Sequence, residues 1–368
     1  MKKISLLISC LFLLIAIRAF PQLTAEPNGG NKKAWVGERI GITDVTISYH
    51  RPGVKGREGK IYGTNIVYKG FADKSAEYGT SKNAPWRAGA NENTTIEFST
   101  GVKVEGKDLP AGKYGLFIAY DPGECIVIFS KNTTSWGNYF YDDKEDALRV
   151  KVKPLALDKS VEWLKYEFTD QTHNSATVAM QWEKLSIPFK IEVDVQKTQL
   201  ASFRDELRGS KGFTWQSWNQ AAQYCLQNNI NLEEGLSWAK TALQTLPNFQ
   251  TYSTNALFYE KLGKKVQADS LRKIALAMGN MIELHQYGRR LIALKKPAEA
   301  LEVFKQNAKK NPKQFTTYVG LARGFSATGD YKNALAQARL ALPLVPDPVN
   351  KASVEDMIKK LENKQDVN

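Results

Sequence analysis

Between Phe315 and Pro348 the chain places Tyr318, Leu321, Ala322, Phe325, Gly329, Ala334, Ala338, Ala341 and Pro346 at spacings of three to five residues, apart from the adjacent Leu321 and Ala322, around one central glycine. That spacing puts an apolar stripe on each of two helices, with alanine where the helices must approach and glycine at the turn between them. The pattern recurs. Pro312 falls thirty-four residues before Pro346, and Leu284, Tyr287, Gly288, Leu291, Ala300 and Phe304 fill the matching positions. A third copy uses Tyr252, Ala256, Tyr259, Gly263, Ala268 and Ala275, and a fainter fourth uses Ala222, Leu226, Ala239, Ala242 and Pro247. A helix pair of this size cannot bury its apolar face alone and has to stack on its neighbours. The spacing therefore predicts four tandem units over residues 214–348, closed by a polar capping helix over 349–363. An irregular helical bundle is the alternative.

The repeating set resembles the tetratricopeptide (TPR) repeat. The resemblance implies an all-α superhelix that makes surfaces rather than bonds and holds a protein or peptide partner in its groove. The first helices of the four units start near Gln216, Thr251, Met281 and Thr316, and positions between the packing residues should face a partner. Gln220, Asn255, Gln286, Arg289, Arg290 and Arg323 are the candidates. The three arginines, with Lys295 and Lys296 at the neighbouring turn, would make one end of the groove positive and suited to an acidic peptide or a carboxylate.

From Thr43 to Val195 the apolar period is two. Val45, Ile47 and Tyr49 alternate with polar residues, as do Leu148, Val150 and Val152, and then Leu164, Tyr166 and Phe168. Ile96 with Phe98, Val102 with Val104, and the segments Cys125–Phe129, Ala176–Trp182 and Phe189–Val195 complete about eight short strands. Arg51-Pro52-Gly53, Pro110-Ala111-Gly112 and Asp121-Pro122-Gly123 punctuate them. Short strands with such turns and no helical period between them predict an antiparallel β-sandwich or barrel over residues 35–196. Residues 197–213 are polar enough to be a linker. The chain as a whole is thus expected to be an α+β two-domain protein.

A hydrophobic fraction of 42% with 11% aromatics is enough for two packed cores without disulfide staples. The net charge of +13 is uneven: residues 199–368 hold 24 Lys and Arg against 15 Asp and Glu. These charges are scattered along solvated helix faces, with no recognition helix or aromatic stacking platform, so nucleic acid is not an expected partner. Lys2 and Lys3 precede an apolar run from Ile4 to Ile17, and small residues follow at Ala19 and Ala25. This reads as a signal peptide over residues 1–25. The run is too short for a membrane span, and the mature chain is expected to be exported, periplasmic or secreted, with no transmembrane segment. Its two remaining cysteines, Cys125 and Cys225, make neither a disulfide framework nor a metal site.

Two glycine-rich loops hold the chemistry that the strands do not use. The first is Tyr49-His50-Arg51-Pro52-Gly53-Val54-Lys55-Gly56-Arg57, and the second runs from Pro85-Trp86-Arg87 to Asn91-Glu92-Asn93-Thr94-Thr95. With Leu109-Pro110-Ala111-Gly112-Lys113-Tyr114-Gly115, and the later Trp136-Gly137 and Trp182-Glu183, they resemble the exported bacterial family of domain of unknown function 2911. The resemblance covers roughly residues 35–195. It implies a secreted or periplasmic β domain, sometimes joined to helical repeats, and brings no catalytic residues to transfer.

Read physically, His50, Arg51, Arg57, Arg87 and Lys113 are cations, Asn91 and Glu92 are polar partners, and Trp86 is a flat apolar surface. Converging at one end of a sandwich, they would suit a carbohydrate or a small anion. The competing structural reading has Trp86 in the core, Arg87 bracing the loop on Glu92, and the glycines serving turns. Joint exposure of Trp86, Trp136, Tyr139 and Tyr141 would favour ligand binding, and their burial would favour scaffolding. A hydrolase with His50 as general base beside Glu92 is a third reading, but no nucleophile elbow, zinc helix, phosphate loop or dinucleotide fingerprint is present. No cofactor is called for. The sequence reads first as an exported interaction scaffold and not as an enzyme.

Overall fold

The structure, a computed structural model, describes residues 30–368, so the candidate signal peptide lies outside the described residues. The chain divides into two compact units between Gln199 and Leu200. The N-terminal unit is antiparallel β-structure and the C-terminal unit is helical, an α+β two-domain architecture.

In chain order the strands are β1 (Lys32–Ile40), β2 (Thr43–Arg51), β3 (Ala72–Asp73), β4 (Asn83–Ala84), β5 (Thr95–Phe98) and β6 (Val102–Val104). They continue with β7 (Lys107–Leu109), β8 (Gly112–Ala119), β9 (Cys125–Ser130), β10 (Asp146–Val152), β11 (Leu155–Thr169) and β12 (Ser175–Glu192). One sheet has the order β1-β2-β5-β8-β9-β10, a second has β11-β12-β6-β7, and β3 pairs with β4. Alternation decides what each strand buries: Val45, Ile47 and Tyr49 of β2 point into the core while Asp44 and Thr46 face solvent. Both sheets feed one apolar cluster, in which Tyr49 meets Tyr166 with ring centroids 4.8 Å apart and Phe129 meets Phe189 at 5.7 Å. Burying a side chain of this size stabilises by about 1.5–3 kcal/mol, so the sandwich holds without a disulfide; Cys125 and Cys225 are both free and buried.

Two expectations need correction. The alternation predicts Ala176–Trp182 and Phe189–Val195 as separate strands, yet β12 runs unbroken across most of both. Glu183 within it takes a left-handed backbone (φ 54), and the register against β11 slips there, from Lys165↔Gln181 to Val161↔Glu183. The strand bends at this bulge rather than ending. Residues 197–213, expected as a linker, are mostly helical: α1 (Val195–Glu206) is followed by a 3-10 turn over Ser210–Phe213. The cause is an apolar stripe among the polar residues. Leu200, Phe203 and Leu207 recur at three and four residues and pack with Ala221, Ala222 and Trp238.

The helical unit continues with α2 (Trp215–Asn228), α3 (Leu232–Thr245), α4 (Phe249–Lys261), α5 (Lys265–Met278), α6 (Met281–Ala293), α7 (Pro297–Lys310), α8 (Phe315–Ala327), α9 (Tyr331–Ala341) and α10 (Pro348–Glu362). Consecutive helices pair, α2 with α3 through α8 with α9. Local sequence sets several starts: Asn248 and Thr251 form a reciprocal capping box on α4, Asn280 and Glu283 form one on α6, and Asp347 caps α10 ahead of Pro348. Small residues set how closely pairs approach. A Cβ on Gly288 of α6 would lie 2.5 Å from the Phe304 ring of α7, and one on Gly320 of α8 would lie 2.7 Å from it. Phe304 therefore fills the space that glycine leaves on both neighbouring helices. At the far end Val354, Met357 and Leu361 of α10 are buried, and α10 packs on α9.

Candidate functional site

The helical unit carries a cleft where α2, α4 and α6 face one another. One cavity of about 530 Å³ has Leu226, Leu257, Tyr287, Leu291 and Leu294 on its walls. A second, of about 270 Å³, shares Leu226, Leu257 and Tyr287 and extends the cleft past Gln223, Gln250 and Gln286. Apolar walls flanked by side-chain amides suit an extended peptide, whose side chains take the apolar floor while its backbone bonds the amides. The charges at one side are largely spent internally: Glu260 pairs with Arg272 at 2.6 Å and with Lys296 at 3.1 Å. Arg290 also lines both cavities and forms no ion pair among the described residues, which leaves it for an acidic group on an occupant.

Of the residues expected to face a partner, Gln286 and Arg290 line this cleft, and Gln220 and Arg289 are exposed elsewhere on the first helices. Asn255 is a correction. It is 1% exposed, and its Nδ2 donates to the Ala239 carbonyl of α3 at 2.7 Å and to Thr251 O at 2.9 Å. A buried amide with its donors spent ties two helices together and cannot read a partner. Arg323 is half-buried, its Nη1 donating to Val367 O at 3.0 Å. Lys295 is exposed at the turn between α6 and α7 with a left-handed backbone (φ 58), while Lys296 is tied to Glu260. Burial, with Arg289 and Arg323 adding repulsion, pushes the neighbouring His285 down to about 4. In the sequence Leu226, Tyr287 and Leu291 read as packing residues, and they do pack on the helical cores while one edge of each lines the cleft, so their spacing alone does not show it.

In the β unit the two glycine-rich loops meet at one point. His50 is buried at the end of β2, and its Nδ1 lies 2.9 Å from the Glu92 carboxylate. Burial pushes the His50 pKa down, with Glu92 opposing and Lys33 of β1 reinforcing the shift. The other cations are turned inward on the backbone. Arg51 donates to Leu164 O at 2.9 Å, and Arg57 to Val54 O and Gly53 O at 2.9 and 2.7 Å. Arg87 donates to Asn91 O at 2.9 Å and lies over the Tyr139 ring, so it braces its loop without touching Glu92. Asn91 holds the turn in a left-handed conformation (φ 59), and Lys113 is exposed on β8 opposite Glu97 of β5, away from this meeting point in the register.

Trp86 as a ligand-facing surface is also corrected. It is 4% exposed and stacks on Trp182 across the core, with ring centroids 6.1 Å apart, so its face is not available to a sugar. The four aromatics do not form a platform: Trp136 is exposed and Tyr139 sits under Arg87. Tyr141 is buried, its hydroxyl bonded to Asp146 and Arg149. Among the described residues no group of three or more His, Cys, Asp and Glu could hold a metal ion, and no helix is long and apolar enough to cross a membrane.

No curated protein matches the chain significantly. Among solved structures, pilF of Pseudomonas aeruginosa is 20% identical, with 42% of this chain and 71% of that one covered at a TM-score of 0.30. YrrB, described as a TPR protein with an unusual peptide-binding site, is 18% identical over 44% of this chain and 92% of its own, at a TM-score of 0.26. A protein of Thermus thermophilus described as a thermophilic TPR protein is 20% identical over 45% of this chain and 88% of its own, at a TM-score of 0.30. At such values it is the pairing and spacing of α2 to α9, and not the likeness, that identify the repeats. Residues 31–191, nearly the whole β unit, match the model of the family described as Protein of unknown function (DUF2911), in agreement with the resemblance carried by the loop motifs.

Proposed function

We propose that the chain is an interaction scaffold which holds an extended segment of a partner protein in the cleft between α2, α4 and α6. The observation that carries this reading is the cleft itself, with Leu226, Leu257 and Leu291 on its walls, glutamine amides along its flank and the unpaired Arg290 beside them. The occupant is a segment with two aliphatic side chains and one acidic group. The β unit acts as a fixed module, since Trp86 is committed to the core and Arg51, Arg57 and Arg87 to backbone carbonyls. No catalytic step is assigned: Glu92 on Nδ1 would orient His50 as a base through its other nitrogen, but the imidazole is buried. Export is part of the same proposal and rests on the Lys2–Ala25 pattern of the sequence alone.

Selection of displayed random dodecapeptides on the full chain tests the proposal. Enriched peptides should carry aliphatic residues and an acidic one. Leu257→Glu, which sets a charge against the apolar wall, should weaken a fluorescein-labelled selected peptide at least tenfold, about 1.4 kcal/mol, without loss of helical circular dichroism. No enrichment, or undiminished binding by a folded Leu257→Glu variant, would refute it.

A further inference from the structure

Beyond α10 the chain reverses at Lys364, whose backbone is left-handed (φ 53), and residues Asp366–Asn368 lie along α8. The contacts are side-chain specific. Ser326 Oγ donates to Asp366 Oδ1 at 2.7 Å and accepts from the Val367 N–H at 3.1 Å. Arg323 Nη1 donates to the Val367 carbonyl at 3.0 Å, and Asn368 Nδ2 donates back to the Arg323 carbonyl at 3.1 Å. The Val367 side chain packs on the apolar cluster to which Val319, Ala322 and Phe325 of α8 belong. One anchor per chemistry is in place: a hydroxyl for a carboxylate, an apolar seat for an aliphatic side chain, and a guanidinium for the main-chain carbonyl of that aliphatic residue.

The segment satisfies this surface only in part. The Asp366 carboxylate is bonded to Ser326 and Asn368, and neither Arg323 nor Arg289 forms an ion pair among the described residues. Burial pushes the Arg323 guanidinium below its ordinary value, Arg289 adds repulsion, and Asp366 offsets part of it. A surface with two like charges can accept more negative charge than Asp366 brings to it.

We infer that this face of α8 is a docking site for a protein segment in which an acidic residue directly precedes an aliphatic one, and that Asp366–Val367 keeps it closed in cis until such a segment displaces it. The inference rests on the reading of the helical unit as a peptide holder, but it concerns α8 and not the α2–α4–α6 cleft. A site occupied in cis for nine-tenths of the time binds an external ligand about tenfold more weakly than the same site left open.

Fluorescence anisotropy with the full chain and a labelled, C-terminally amidated peptide Lys-Gln-Asp-Val-Asn tests it. Val367→Arg and, separately, Asp366→Ala leave α8 intact and release the segment, so both should bind the peptide about tenfold more tightly than the unaltered chain. Adding Arg323→Glu to either should abolish the gain. The dodecapeptide selected on the cleft should bind the released variants and the unaltered chain alike, so the two sites succeed or fail independently. Release variants that bind the pentapeptide no more tightly, or a gain that survives Arg323→Glu, would overturn the inference.

Discussion

Replacing Phe304 by alanine is expected to destabilise the helical unit by about 3–5 kcal/mol, the range for removing a fully buried aromatic ring. The ring is 1% exposed and stands between α6 and α8, where Cβ positions on Gly288, Gly320 and Gly324 would lie within 2.8 Å of it. The three glycines have no side chain to grow into the vacated space, and of the nearby side chains His285, with its ring centroid 5.7 Å from that of Phe304, is a rigid ring, so much of the cavity stays open. Urea unfolding followed by circular dichroism at 222 nm should show the midpoint falling while the β unit, followed through its own aromatic signal, keeps its transition. Gly288→Val should fail from the opposite direction, because its branched side chain would need the volume that Phe304 occupies. A Phe304→Ala loss below about 1 kcal/mol would show that α6, α7 and α8 do not share this core.

Acidification should weaken the same unit through His285. Its pKa is pushed down to about 4 by burial, with Arg289 of its own helix and Arg323 of α8 adding to the shift. In the unfolded chain the imidazole takes up a proton near pH 6.5, and in the folded unit it resists protonation until about pH 4. The stability is therefore fully present above about pH 6.5 and is lost as the pH falls toward 4. The loss amounts to about 3 kcal/mol if the group behaves independently. Because carboxylates titrate in the same range, the readout is a difference: His285→Leu should flatten the fall in urea midpoint between pH 7 and pH 4.5 relative to the unaltered chain. Parallel curves for the two proteins would exclude His285 as the cause.

How much of this was legible in the sequence differs from residue to residue. The repeats were legible because a steric requirement leaves few choices: where Phe304 must fit against a helix only glycine will serve, and where two helices touch only alanine, so Gly288, Ala322 and Ala334 recur with the period. Strands such as β2 were legible for a similar reason, since one face is buried and the other wet. The cleft was not. Leu226, Tyr287 and Leu291 pack in the helical cores and line the cleft as well, so their apolar signal is that of packing residues, and only the geometry of three helices together shows the open side. Asn255 misled in the opposite sense, because a polar side chain reads as solvent-facing until its acceptor on α3, the Ala239 carbonyl, is known. Trp86 depended on Trp182, far along the chain, which no local pattern connects to it. In α1 and the turn after it the polar majority concealed Leu200, Phe203 and Leu207, whose stripe is narrow but sufficient for burial.

The central claim, that the α2–α4–α6 cleft is where a partner segment sits, is tested most directly by leucine-methyl NMR of the full chain titrated with the selected dodecapeptide. The account predicts that Leu226, Leu257, Leu291 and Leu294 shift together along one saturable curve, while Leu116 and Leu164 of the β core do not move. Shifts confined to the β unit, or none at the four cleft leucines when the peptide is saturating, would contradict it.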